Sequence, residues 1–485
     1  MRPVGVGLLG ALCGAALAGL LALLLLVVGF APPQARGFLV RVGPVFIAAL
    51  TILGAVLAAF GRPLLRAVAA SVLPDGTSRE VRLIYLLCGA VAMLAVVQYH
   101  VLAFLARDPT DLPSFLLAAR AMAAGQDFYD PQVLATFRDE TMGNEVIFPY
   151  LYLPLYAVLL RPLALLPGAS AHVVFLIFNA LLWPVLVVLC LKLIEAPSHL
   201  RAPLLVLAGL VVPSFLPTIQ TFHHGSPSLL VAVLVVAVFI LERADKHRWA
   251  GVLLALVVLI KIVPVILIPY FLLRRRYAVL KWAAGAAVVL LGLSVAVAGI
   301  GPHLHWITAM APGLASRGAT GTFFEPGCHP ENQSITGIFC RVVGASSPLM
   351  GWLPSLTGAL VVAVAAVALW RRRDPTVDRL EGSLVVVTIL LISTITWFHH
   401  MTMMLLPALT LVVVGAEGRS AGRRFLVVVG VLVLVAVGFE FYLDPWQFVV
   451  PNPITRSIRF QAMVAAFVSL VVLVWRGRRS SSTEA

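Results

Sequence analysis

Long apolar runs separated by short polar connectors repeat along most of the chain, and the length of the runs decides what they are. A stretch of about 20 apolar residues suits a membrane-crossing α-helix, which satisfies its own backbone amides where lipid offers no partner. Such runs place crossings near residues 4–31, 42–60, 83–105, 171–193, 203–217, 226–242, 278–301, 346–370, 382–397, 401–416, 424–443 and 457–475. The runs are unbroken, which excludes a membrane barrel, whose strands alternate at every second residue. Two further apolar segments are interrupted. Residues 148–166 carry Pro154 and Pro162, and residues 250–273 carry Lys261, Pro264 and Pro269. Each is predicted to form a pair of short membrane helices. The expected fold class is an all-α polytopic membrane protein with about 12–14 transmembrane helices, some short or broken.

Composition agrees. The 485 residues are 61% hydrophobic and 12% charged, whereas soluble domains carry about a quarter charged residues. The first run, from Val4 to Ala31, is longer than a signal-peptide core and lacks a small-residue cleavage site, so it reads as a retained anchor. No internal repeat separates domains. The chain divides into a two-span extension at 1–82, a membrane domain at 83–475 and a disordered cytosolic tail at 476–485.

The net charge of +14 changes the picture only through its placement. Lys and Arg near span ends collect on the cytoplasmic side, and they cluster at 242–248, 274–277, 371–379, 418–424 and 476–479. That excess predicts orientation, not a nucleic-acid partner. Both flanks of 250–273 then lie inside, so this segment turns back as a hairpin with Lys261 at its tip. The same device at 148–166 leaves both termini cytosolic. Residues 106–147, 221–228, 302–345 and 397–400 fall outside and are placed to line one external cavity. The motifs of nucleotide phosphate loops are missing.

Candidate chemistry concentrates in that external set. Seven of the 21 acidic residues (Asp108, Asp111, Asp127, Asp130, Asp139, Glu140 and Glu145) lie between 108 and 145. From Asp111, "DLPSFLLAARAMAAG" predicts an amphipathic helix after the third span, capped by Asp111, ended by Gly125 and lying on the membrane surface. Asp111 is either a helix cap or a catalyst, and the roles are compatible. Asp108 precedes a proline and competes with it. Lys261 is costly inside a membrane unless it faces a cavity or a counter-charge, which makes it a candidate for holding an anion, with a structural ion pair as the alternative. "NQSITGIFCR" brings Asn332, Gln333 and Arg341 to an external loop, groups suited to sugar hydroxyls and phosphate. "WFHH" adds His399 and His400. Cys328 and Cys340 share an oxidising external loop and are either bridged or two free thiols. The histidines occur as adjacent pairs, not at zinc-ligand spacing. Neither a metal nor another cofactor is expected.

At these residues the chain resembles glycosyltransferase family 87, the polyprenyl-phosphate-mannose-dependent mannosyltransferases of the GT-C membrane superfamily. The matching stretches are "D…ARAMAAGQDFYD" with Asp111, Gly125 and Tyr129, "FPYLYLP" with Tyr150 and Pro154, "AGVLLALVVLIKIVP" with Lys261 and Pro264, "NQSITGIFCR" and "WFHH". The chain departs from the family in Phe115, where Tyr is common, and in "HHGSPS", where a Gly-Gln-x-Asn pattern is common. The resemblance implies a GT-C-like bundle and transfer of a sugar, mannose in the family, from a polyprenyl-phosphate donor on the extracytoplasmic face of the cell membrane. The acceptor would be a hydroxyl of a glycolipid, lipoglycan or protein. Asp111, or else Asp108, would be the general base of an inverting, metal-independent reaction. Lys261, Arg341, His399, His400, Asn332, Gln333 and Tyr150 would bind donor phosphate and sugar. A transporter or flippase of a lipid-linked or small solute is the alternative, since it too would be polytopic with broken helices.

Overall fold

A computed structural model describes residues 110–138, 148–197, 200, 204, 215–315, 328–370, 379–417, 420–438 and 457–481. The three crossings expected before residue 106, the 1–82 extension and Asp108 lie outside the described residues. Those described are mostly helical, with no strand among them. Among the described residues, six helices are long and apolar enough to cross a membrane: Gly168–Ile194, Tyr277–Ala298, Leu353–Trp370, Phe398–Ala416, Ala421–Gly438 and Ile458–Trp475. The protein is an all-α, multi-pass membrane protein.

The elements that position the site are α1 (Asp111–Ala123), α2 (Pro154–Ala164), α3 (Gly168–Ile194), α4 (Leu216–His224), α5 (Ser228–Arg243), α6 (His247–Ile260), α7 (Leu267–Leu273) and α8 (Tyr277–Ala298). They are followed by α9 (Ile335–Val343), α10 (Leu353–Trp370), α11 (Arg379–Ile392), α12 (Leu405–Ala416), α13 (Ala421–Gly438) and α14 (Ile458–Ser481). The last helix runs on to Ser481, into the tail expected to be disordered. Arginine is a good helix former, so a basic stretch leaving the bundle can continue the helix it extends.

The Lys261 segment turns back as its basic flanks predict. α6 ends at Ile260, Lys261 itself is extended (φ −143°, ψ 122°), and a 3₁₀ turn at Val263–Ile266 leads into α7. The flanks meet: Arg276 pairs with Glu242 at 2.7 Å. α8 then retraces the direction of α6, with Gly251 packed so closely that a Cβ there would lie 2.5 Å from the Val279 carbonyl oxygen. Charged groups gather at this end of the bundle. Arg274 pairs with buried Glu381 at 3.0 Å, Arg243 pairs with Glu195, and Arg379 forks onto Glu417 while donating to the Ile194 carbonyl at 3.1 Å.

Residues 148–166 do not form the expected helix pair. Residues 148–153 are extended or bent and only α2 is helical. Proline 154 explains where the helix starts, because a residue before proline is pushed out of the helical region and proline itself suits the first helical position. The Tyr150 hydroxyl completes the joint, donating to the Leu153 carbonyl at 2.8 Å and accepting from the Ala157 amide at 3.0 Å. Nor does α1 lie on a surface. Leu112, Phe115, Leu116, Ala118, Ala119 and Met122 are all buried, the alanines allowing neighbours to close on several sides. Arg120 ties the end of α1 to the end of α2, donating to the Ala164 and Leu166 carbonyls at 3.0 and 2.9 Å.

Candidate active site

A cavity of about 470 Å³ opens at the end of the bundle where α1, the extended leg before α2 and the tip of the Lys261 turn meet, a size typical of small-ligand sites. Asp111 stands on one wall with Thr110, Ser114 and Phe115. Lys261 stands on another. His399, His400 and Trp397 come from the break between α11 and α12, and His224 comes from the end of α4.

Asp111 is the first helical residue of α1 and not its cap, a position occupied by Thr110. Its carboxylate therefore faces the cavity while benefiting from the positive end of the helix. Partial burial pushes its pKa from 3.8 up to about 6, against the opposing pull of Lys261 and of the Thr110 hydroxyl. It makes no direct ion pair among the described residues. Thr110 Oγ1 lies 3.5 Å from Asp111 Oδ1 and 2.5 Å from His224 Nδ1.

Lys261 reaches the cavity because the helix stops one residue before it. Its Nζ lies 2.6 Å from His400 Nε2 and 5.6 Å from the centre of the Tyr152 ring. His400 is itself held from behind, its Nδ1 accepting the Trp397 amide at 3.3 Å. His399 packs against His400 and His224, with ring centres 4.4 and 5.1 Å apart. An ammonium with imidazoles around it is a socket for an oxyanion, and Asp111 stands across the same hollow.

Other residues expected to hold the donor are engaged elsewhere. Arg341 donates to the His329 and Asn332 carbonyls at 2.9 and 2.7 Å and to Ser457 Oγ at 3.2 and 2.8 Å, clamping the loop before α9 to the start of α14. Asn332 is buried, with Oδ1 accepting from Ser334 and the Thr396 amide while Nδ2 donates to the Thr394 carbonyl. Gln333 accepts the Phe460 amide at 3.0 Å and donates to the Pro330 carbonyl. These amides build a joint behind the wall and do not line the cavity. Tyr150 is fully buried among Phe115, Phe128 and Tyr129 and likewise lies behind the lining. Cys328 and Cys340 form a disulfide that closes the same loop.

The sequence reading left out Thr110, Tyr152, Trp306 and Glu331, all of which line the cavity. Trp306, in a π-helical turn, donates from Nε1 to the Leu151 carbonyl at 3.1 Å and so fixes the extended leg. The one signal for Glu331 was its place beside Asn332 and Gln333. Among the described residues, no three His, Cys, Asp or Glu side chains gather as metal ligands.

Residues 150–394 match the model of Glycosyltransferase family 87. The chain belongs to that family. It is 30% identical over 322 residues to a polyprenol-phosphate-mannose-dependent alpha-(1-2)-phosphatidylinositol pentamannoside mannosyltransferase of Mycolicibacterium smegmatis, covering 65% of this chain and 72% of the relative. It is 27% identical over 344 residues to a polyprenol-phosphate-mannose-dependent alpha-(1-2)-phosphatidylinositol mannoside mannosyltransferase of Mycobacterium tuberculosis, covering 67% and 75%. No solved structure gives a significant match. Membership makes the protein a membrane glycosyltransferase of the hexosyltransferase type and favours transfer over transport. Lys261, His399 and His400 fall inside or just beyond the matched stretch, while Asp111 precedes it.

Proposed function

We propose that this glycosyltransferase moves mannose from a polyprenyl-phosphate donor to a hydroxyl of a mannosylated phosphatidylinositol-type glycolipid or a related lipoglycan, on the extracytoplasmic face of the cell membrane. The relatives' substrates support the donor and the acceptor class. The clustering of basic residues at the opposite end of the bundle supports the orientation, with the catalytic domain spanning 83–475 and both termini cytosolic.

One observation carries the mechanism: Asp111 and the Lys261–His400 pair line the same hollow from different walls. Asp111 takes the proton of the acceptor hydroxyl as its oxygen attacks the anomeric carbon from the face opposite the phosphate, inverting that centre. The bond to phosphate oxygen breaks, and Lys261, His399 and His400 stabilise the polyprenyl phosphate as it departs. The Lys261 amine and the two imidazoles serve the leaving group without a metal. Arg341 has no part in this step. The test is sugar transfer from radiolabelled polyprenyl-phosphate mannose by the purified full-length protein in lipid nanodiscs. Asp111→Asn is expected to lose on the order of a hundredfold or more in turnover while still binding donor. Near-wild-type turnover would reject the assignment.

A further inference from the structure

Asp111 is approached from behind by two residues that the proposed mechanism does not use. Thr110 Oγ1 lies between Asp111 Oδ1 at 3.5 Å and His224 Nδ1 at 2.5 Å, and all three side chains line the cavity. Thr110 and His224 are 114 positions apart in sequence. Gly225 makes their meeting possible: it ends α4 at φ 64°, a region costly for other residues, and a Cβ there would stand 2.5 Å from the Leu112 Cβ. The end of α4 is thereby pressed against the start of α1.

A threonine hydroxyl has one hydrogen, so it serves only one of its two neighbours at a time. When His224 Nδ1 carries a proton, it donates to the Thr110 oxygen, and the Thr110 hydrogen is free to point at Asp111. When Nδ1 is bare, Thr110 donates to it and Asp111 loses its donor. We propose that His224 and Thr110 are positioning residues that aim a hydroxyl at the Asp111 carboxylate and so set its basicity and orientation during transfer. This rests on the reading of Asp111 as the base. It gives a role to the place where this chain carries "HHGSPS" in departure from the pattern common in the family.

The surrounding charges are consistent with such a device. His224 faces His223 on its own helix, His399 from the break before α12 and Glu331 from the loop before α9. Asp111 faces Lys261 together with the Tyr152 and Tyr156 phenols. Burial holds the His224 imidazole below its ordinary range, so at neutral pH its tautomer decides which way the Thr110 hydrogen points.

The experiment is a turnover–pH profile of the full-length protein in nanodiscs, with polyprenyl-phosphate mannose as donor and phosphatidylinositol mannoside as acceptor. Thr110→Val is expected to lower kcat about tenfold, the worth of one hydrogen bond to a charged group, while donor KM stays within about twofold. The acid limb should move to higher pH, because a carboxylate that loses a donor becomes easier to protonate. Thr110→Ser should restore both. His224→Leu should reproduce the loss, and it carries the same test should Thr110→Val not fold. Wild-type kcat and an unmoved acid limb in either folded variant, or failure of Thr110→Ser to rescue, overturns the inference. If Asp111→Asn is inactive while Thr110→Val is unaffected, only the inference fails; if Asp111→Asn is active, the reading beneath it fails.

Discussion

Glu381 and Asp111 are both carboxylates set into an apolar helical bundle, at opposite ends, and their surroundings differ in kind. Glu381 is wholly buried, with Arg274 at 3.0 Å and the Tyr270 hydroxyl donating to it at 3.0 Å. Asp111 is half-buried beside an open cavity, with Lys261 near enough to act on it electrostatically but not in contact. A buried charge that is paired and hydrogen-bonded has little left to offer a substrate. A carboxylate held only by one long hydrogen bond from Thr110 among the described residues keeps most of its lone pairs available. The comparison separates an acid that holds the bundle together from the acid proposed as the base.

The sharpest way to break that contrast is to neutralise each acid in turn. Asp111→Asn should lower turnover by about 10²–10⁴-fold with little loss of thermal stability. Glu381→Gln should do the opposite. It leaves Arg274 charged and almost fully buried, and removing one partner of a buried pair costs about 3–5 kcal/mol. Turnover per folded molecule should be kept, while the inactivation midpoint in detergent falls by several degrees. A stable Glu381→Gln protein would show that the pairing contributes little, and the distinction between the two ends would dissolve.

Lys261 sharpens the same comparison from the cationic side. Arg274 and Arg276 are committed to Glu381 and Glu242, whereas among the described residues Lys261 meets His400 and the Tyr152 ring face. Lys261→Met should therefore lower turnover on the order of tenfold to a hundredfold, the scale of losing one charged donor to a developing anion. It should also weaken binding of polyprenyl phosphate alone. Unchanged binding of that lipid would move the phosphate away from Lys261.

The burial of Asp111 also fixes a pH dependence. With a pKa near 6, the base is present above pH 6, and turnover should fall about tenfold per unit below it. The linkage to stability has the reverse sign. A folded-state pKa above the unfolded value makes the protonated form the favoured one in the fold, so this contribution is full below about pH 4 and lost as pH rises through 6. Thermal scans of wild type and Asp111→Asn from pH 4 to pH 8 should converge at the acid end. Turnover already flat from pH 5 upward would place the working base elsewhere.

Much of this was legible because charge is scarce in an apolar chain. Lys261 stood out for its cost in lipid, and its two prolines with basic flanks predicted the turn that α6, α7 and the Arg276–Glu242 pair complete. Asp111 stood out within an acidic cluster, although its role as cap did not survive: Thr110 takes that place. What the sequence could not show was which polar groups are already spent. An amide reads the same whether it meets a sugar or a backbone group, and beside local bonds to Ser334 and Pro330 the distant partners of Asn332 and Gln333 lie at 394–396 and 460. The contact between Thr110 and His224 had no local signature, since it depends on how Gly225 lets two distant segments approach.

Arg341 is the residue for which sequence and structure part most clearly, and it gives the smallest and most selective effect. As a phosphate ligand it would be irreplaceable, and Arg341→Lys would raise donor KM by an order of magnitude, because lysine cannot reproduce the planar fork. As a clamp it serves two carbonyls and the Ser457 hydroxyl, in a loop already closed by the Cys328–Cys340 disulfide. Lysine can keep one or two of those bonds, so the loss should be about 1–2 kcal/mol of stability, with kcat and donor KM within about twofold of wild type. A large rise in donor KM with an unchanged melting profile would return Arg341 to the cavity and enlarge the cationic wall facing Asp111. A modest loss of stability alone would leave Lys261 as the cation of that wall, flanked by the paired histidines, with Asp111 opposite.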